Sequence, residues 1–472
     1  MRLKSFRITN YKSIIDSGLV EIDDKKTVFV GPNEAGKSVT LEALQKINPP
    51  AGVPGFEALR DYPRRFYNDI ASGKSDPKNI KVVVANFSFS DEEISNLPSH
   101  WVNPEYVYTK YLDNHATHEI SQSTPVPKYG SLKSDLSRLA LHVDQETSSL
   151  SNKVNATDKL KEISAEDEYL LGGSLCKSLT SWLDEVEPFT DENNENEQLR
   201  INKIRSLLSI EKQNENALNY CSQRLPLFIF YNNYLRVRPI IHLGNLAKRQ
   251  AFETLDDKQY DYGNLCLLKM LGFDVNELSR LGNVENQNPN TAEALNMFRK
   301  QLDERRYALN AAEVQLSEVV ASTWKPNTSL GEASQLRIDI DGQLLTVSVV
   351  DELGVTIELD QRSEGFQWLV SFFIVLFAET ENNNLDAILL LDEPGVSLHG
   401  LRQRQFRDTI SKLSEKNQTI FTTHSPYMVG SDELDKVRVV EMECRREGTK
   451  IRTTSNKNDD DLIMPLTDTP LS

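Results

Sequence analysis

The N-terminal stretch alternates apolar and polar positions in LKSFRIT and GLVEID, then runs through the apolar TVFVG into a glycine-bearing loop. A period of two predicts strands, and SVTLEALQKI directly after the loop has helical spacing. IKVVVANFSFS, at 80–90, reads as a further strand. From about residue 131 to 225 the chain turns polar and helix-compatible and includes the acidic, asparagine-rich EPFTDENNENEQ, expected to be an exposed loop of an insertion. LPLFIFY, at 225–231, returns to the core as a short buried strand.

Leu295, Leu302, Leu309 and Leu316 then recur every seven residues, and Phe298, Arg305, Ala312 and Val319 complete a heptad apart from the arginine. This pattern fits either a helix packing on its own domain or a coiled-coil arm and dimer contact over 292–320. Beyond Trp324, LRIDIDG, LLTVSVV and VTIELD predict a small antiparallel unit. The last part alternates helix WLVSFFIVLFAE, strand AILLL, helix HGLRQRQFRDTISKL, strand TIFTTH and strand VRVVEME, which is α/β wrapping around a parallel sheet.

The expected organisation is an α/β head with a mixed sheet encoded by both ends of the chain. It comprises 1–130, a mainly helical insertion at 131–325, the second half of the head at 326–455, and a polar tail at 456–472.

Composition adds little and excludes more. Of 472 residues, 39% are hydrophobic and 26% charged, which suits a folded soluble protein. A net charge of -17 argues against coating nucleic acid with the whole surface, since each phosphate contact needs a local cation. Three arginine groups leave a local basic groove open: Arg60, Arg64 and Arg65; Arg236 and Arg238; Arg402, Arg404 and Arg407. Ordinary solvated arginines are the alternative for each.

The first residues lack a secretory h-region, and the longest apolar stretch, Leu369 to Ala378, reads as a buried helix too short to span a bilayer. Cys176, Cys221, Cys266 and Cys444 have neither zinc-site nor disulfide-framework spacing. No membrane association is expected, and the cytoplasm is the expected compartment.

Candidate chemistry concentrates at four places. GPNEAGKS, Gly31 to Ser38, satisfies GxxxxGK[ST] between a hydrophobic strand and a helix. Gly31, Pro32, Asn33, Glu34, Ala35, Gly36, Lys37, Ser38 and Val39 are therefore expected to cradle the phosphates of ATP. In that loop backbone N–H groups face phosphate oxygens, Lys37 neutralises charge, and the Ser38 hydroxyl binds Mg2+.

AILLLDEP, Ala387 to Pro394, is a buried strand ending in two carboxylates. Asp392 is expected to hold the metal and Glu393 to act as general base on the attacking water. His424, at the tip of TIFTTHSP, is expected to sense the γ-phosphate and orient that water. Ser363, Glu364 and Gly365, before the apolar helix, either cap it or present a hydroxyl and N–H groups to a phosphate on another subunit.

Taken in order, Tyr11-Lys12-Ser13, GPNEAGKS, the insertion, RSEGFQW, LLLDEPGVSLH and TTHSP resemble the ABC-type ATPase head of the OLD (overcoming lysogenization defect) family. The set is similar, more distantly, to RecF and to structural-maintenance-of-chromosomes proteins. The resemblance implies ATP hydrolysis, Ser363 to Gly365 as a signature acting in trans, Gly395 to His399 as the D-loop and His424 as the switch histidine. It also implies head-to-head dimers sandwiching nucleotide.

OLD nucleases carry a C-terminal Toprim domain. Here the chain stops shortly after VRVVEME, and Asp459, Asp460 and Asp461 read as a solvated run, so no nuclease activity is expected. Two functions follow: an ATPase controlling a separate nuclease or effector in bacterial anti-phage defence, or a stand-alone RecF-like DNA-repair ATPase. An OLD nuclease shortened before its Toprim domain is a third.

Overall fold

The computed structural model describes residues 1–149, 155–190, 194–252, 259–282, scattered positions between 296 and 318, 335–351, 353–380, 386–430, 432–442 and 444–453. The chain forms two compact units. One comprises Met1–Phe87, Tyr108–Thr117 and the chain from Leu225 onward; the other comprises Ser88–Val107 and His118–Arg224.

The first unit is organised by a six-stranded sheet. Its order is Lys450–Thr453, Val437–Glu441, Lys26–Val30, Gln418–Thr423, Ala387–Leu391 and Leu227–Tyr231. The five strands after the edge one run parallel, and only Lys450–Thr453 is antiparallel, so the sheet is mixed. Lys26–Val30, Leu227–Tyr231, Ala387–Leu391 and Gln418–Thr423 are buried at every position. That is why Leu227–Tyr231 and Ala387–Leu391 are continuous apolar runs without alternation. The register pairs Leu391 with both Phe421 and Tyr231, and Thr423 with Val30. The carboxyl ends of four strands therefore share one edge, where open α/β sheets bind ligands.

A second, antiparallel layer starts with Arg2–Tyr11 against Ile14–Asp16 and Val20–Glu21. Gln418 joins it to the parallel sheet: its side chain accepts from Leu3 N at 2.8 Å and donates to Leu3 O at 2.7 Å and Asp23 O at 2.9 Å. A third sheet pairs Gln335–Asp341 antiparallel along one edge of Leu344–Val350, while Thr356–Glu358 and Ile240–His242 pair antiparallel with successive parts of its other edge. The expected antiparallel unit is thus present, enlarged by a strand from far upstream. The helix Glu364–Thr380 is buried along most of its length, and Trp368 meets Tyr231 edge-on at 5.0 Å and Phe372 stacked at 5.3 Å. Among the described residues, no helix is long and apolar enough to cross a membrane.

The second unit packs the helices Gly130–Glu146, Ala156–Ile163, Gly173–Val186 and Glu195–Gln223 around Leu136, Leu139, Trp182, Leu183, Ile201 and Ile204. It begins at Ser88 and ends at Arg224, and the strand Leu227–Tyr231, read from the sequence as a return to the core, belongs to the first unit. The acidic segment also differs from a plain loop. Glu195 to Gln198 form the first turn of the helix Glu195–Gln223, with Glu197 only 3% exposed. Carboxylates in a first turn complement the helix dipole, an effect that composition alone does not display. Of the heptad at 292–320, Leu295, Leu302, Leu316, Phe298, Arg305, Ala312 and Val319 lie outside the described residues, as do Asp459, Asp460 and Asp461.

Candidate nucleotide site

The strand Lys26–Val30 leads into Gly31, and the helix Lys37–Gln45 begins six residues later. Gly31 and Gly36 have φ of 155° and 105°. A Cβ on Gly31 would lie 2.0 Å from Val440 O, and one on Gly36 would lie 2.3 Å from Thr449 Oγ1, so neither position has room for a side chain. Glu34 also takes a positive φ, 63°. Pro32, Asn33 and Glu34 are exposed at the crest of the loop, while Ala35, Gly36 and Lys37 are buried beneath it.

Lys37 is 6% exposed and folds over its own loop. Nζ donates to Gly31 O and Pro32 O, both at 3.0 Å, and lies 2.9 Å from His424 Nε2 and 3.9 Å from Glu393 Oε1. Burial pulls its pKa down, and the nearby Glu393 and Asp392 only partly offset this.

Beside it, Ser38 Oγ donates to Asp392 Oδ1 at 2.9 Å, and Thr422 Oγ1 donates to the same oxygen at 2.7 Å. The Glu393 amide donates to Thr422 Oγ1 at 2.8 Å, and the Asp392 amide donates to Tyr231 O at 2.9 Å. These bonds clamp the end of the acid strand. They also hold Glu393 at φ 50°, left-handed geometry that a non-glycine residue adopts only when its surroundings enforce it.

Glu393 Oε1 lies 2.9 Å from His424 Nε2. One ring nitrogen cannot both donate to Glu393 and accept from Lys37, so these contacts are alternatives. Burial, reinforced by Lys37, lowers the His424 pKa from the ordinary 6.5 and favours the neutral ring. Burial also raises Glu393 from the ordinary 4.5; Lys37 opposes that rise and Asp392 adds to it.

Ser38 Oγ and Asp392 Oδ1 form a small all-oxygen donor set next to a buried ammonium. Hard divalent cations such as Mg2+ select oxygen ligands, so the residues present fit that ion. The three sequence-distant segments at 31–38, 392–393 and 424 thus meet at one sheet edge.

A family model described as "AAA ATPase domain" matches residues 1–429. The chain belongs to the AAA ATPase domain family. An uncharacterised protein of Methanocaldococcus jannaschii, MJECL43, is 27% identical over 175 residues, 36% of this chain and 44% of that relative. The chain therefore spans less than half of that relative's length. The SmcHead bound to the C-winged helix domain of ScpA is 12% identical with a TM-score of 0.40, covering 98% of this chain and 100% of that one. The SMC head domain from Thermotoga maritima is 11% identical with a TM-score of 0.34, covering 97% and 100%.

Within this AAA ATPase domain, Ser363, Glu364 and Gly365 stand at the start of the helix Glu364–Thr380. Ser363 and Glu364 are exposed, and the Ser363 carbonyl accepts from the Phe366 and Gln367 amides. Gly365 is buried against the turn after the acidic pair: a Cβ there would meet Leu398 Cδ2 at 2.0 Å. That turn has Gly395 at φ 72°, and Gln403 ties it to the histidine segment by donating to Gly395 O at 3.1 Å and accepting from Ser425 Oγ at 2.5 Å.

Thr422 is the participant that motif reading passes over. Polar threonines at the tip of an otherwise apolar buried strand, just before His424, were its available signal.

Proposed function

We propose that this AAA ATPase domain binds ATP with Mg2+ at Gly31 to Val39 and hydrolyses it to ADP and phosphate. The observation that carries the reading is the convergence, at the carboxyl edge of a parallel sheet, of two hydrogen-bonded groups, Lys37 and Glu393 on either side of His424 and Ser38 with Asp392. The loop's amides and Lys37 bind the phosphates, with Lys37 exchanging its bonds to Gly31 and Pro32 for phosphate oxygens. Ser38 and Asp392 hold the ion, which when bound supplies positive charge to the phosphate oxygens.

Glu393 takes a proton from the water whose oxygen attacks the γ-phosphorus, the bond from that phosphorus to the β–γ bridging oxygen breaks, and ADP leaves with its electron pair. His424 orients the water. The exposed Ser363 and Glu364, with the buried Gly365 behind them, meet the nucleotide of a second copy, so ATP joins two heads.

The test is Glu393→Gln. It keeps shape and hydrogen bonding but removes the base, so ATP remains bound while phosphate release falls by about 100-fold or more. Wild-type-like turnover in that variant refutes the assignment.

The OLD-like residue set supports a finer reading, a cytoplasmic ATPase controlling a separate nuclease or effector in bacterial anti-phage defence. Co-purification of the tagged protein with a nuclease whose activity responds to ATP is the expected result; a preparation that neither binds nor alters any nuclease argues for the DNA-acting alternative.

A further inference from the structure

The turn between the strands Val437–Glu441 and Lys450–Thr453 lies beyond the region that matches the family model. It nevertheless reaches the phosphate loop. Thr449 is fully buried, and its Oγ1 donates to Ala35 O at 2.8 Å. A hydroxyl has one proton, so the Ser13 hydroxyl, 3.1 Å away, is the donor in its contact with Thr449 Oγ1. The Thr449 amide in turn donates to Ser13 O at 3.0 Å. Thr449 Oγ1 and Cγ2 occupy the space left by the missing Cβ of Gly36, at 2.3 and 2.9 Å from where that atom would be.

A trans peptide holds its C=O and N–H antiparallel. Fixing Ala35 O toward Thr449 therefore turns the Gly36 N–H the opposite way, toward the concave side of the loop. Successive amides aimed into such a concavity are what bind an anion. Ser13, the last residue of the Tyr11-Lys12-Ser13 motif, acquires a role by the same contacts.

We infer that Thr449 is a positioning residue for phosphate binding, acting through the Ala35–Gly36 peptide with Ser13 behind it. The inference rests on the ATP site proposed above. Thr449→Val keeps the volume but faces Ala35 O with a methyl group; Thr449→Ser keeps the hydroxyl.

In steady-state ATPase assays with Mg2+, Thr449→Val raises the KM for ATP by about 10-fold with kcat within about 2-fold of wild type, and Thr449→Ser restores KM to within about 2-fold. An unchanged KM in Thr449→Val, a fall confined to kcat, or a serine variant as impaired as the valine one overturns the inference. If Thr449→Val does not fold, Ser13→Ala replaces it: a raised KM at normal kcat supports the relay, and a normal KM overturns it. Wild-type protein that shows neither ATP binding nor turnover overturns the ATP site itself, and this positioning role with it. A wild type that turns ATP over beside an indifferent Thr449→Val removes the positioning role alone.

Discussion

The Ser38 hydroxyl donates to Asp392 Oδ1 across 2.9 Å, joining the phosphate loop to the acid strand. A Mg2+ ion held there needs both oxygens. Ser38→Ala and Asp392→Asn are expected to lower Mg2+-dependent turnover by about 100-fold or more, while Ser38→Thr, which keeps the hydroxyl, remains active. Titrating Mg2+ against phosphate release at saturating ATP checks this; full activity in Ser38→Ala contradicts it.

Lys37 holds two carbonyls of its own loop and lies close to His424 and Glu393. Lys37→Met removes the charge but keeps much of the stem. Binding of a fluorescent ATP analogue is expected to weaken by about 100-fold or more, since charge-assisted phosphate contacts are lost in a shielded site. Equal affinity in the variant rules out this role.

His424 faces Lys37, Glu393 and Asp392, and its pKa is lowered from 6.5 by burial and then by Lys37. A depressed folded-state pKa means that the unfolded chain binds the extra proton first. The stability associated with the neutral ring is therefore complete above pH 6.5 and is lost as pH falls through the lower folded-state value. Glu393 is raised and has the opposite sign: its contribution is complete below pH 4.5 and is lost as pH rises through its folded-state value. The prediction is that His424→Gln loses less thermal stability than wild type on acidification from neutral pH. Melting curves across that range measure it; parallel losses in both proteins contradict the shift.

Gln418 satisfies three backbone groups of Leu3 and Asp23 while itself only 3% exposed. Gln418→Ala leaves buried N–H and C=O groups unpaired and is expected to cost about 3 kcal/mol. Urea unfolding followed by fluorescence should show the lower midpoint; an unchanged midpoint means that water replaces the amide.

Ser363 and Glu364 are exposed on a surface expected to meet a second copy. Ser363→Arg in the Glu393→Gln background is expected to abolish an ATP-dependent doubling of mass seen by light scattering, while each protomer still binds nucleotide. A dimer that survives the substitution places the contact elsewhere.

The parallel sheet was legible because burial on both faces leaves a plain mark: VFV, LFIFY and AILLL are apolar runs, the first ending at Gly31 and the last at Asp392. GPNEAGKS and the acidic pair could be read from type and spacing. Thr422 showed only as a polar residue at the tip of a buried strand and Thr449 not at all, because a hydroxyl's partner is set by which strand ends meet, and that register is absent from local sequence. The bounds of the second unit are hard to read from the sequence for a related reason. Its polar helices bury a stripe including Leu136, Leu139, Trp182 and Ile201, and its first segment, Ser88–Val107, is separated from the rest by ten residues that belong to the head.

The phosphate-loop strand Lys26–Val30 lies between Gln418–Thr423 and Val437–Glu441. Both neighbours, Gln418–Thr423 and Val437–Glu441, lie far downstream in the chain and leave the ribosome long after it does. The loop thus remains without its flanking strands until both have been made, and a competent pocket cannot form before then. Such long-range pairing slows folding. It also makes nucleotide binding a report on nearly the entire head having folded.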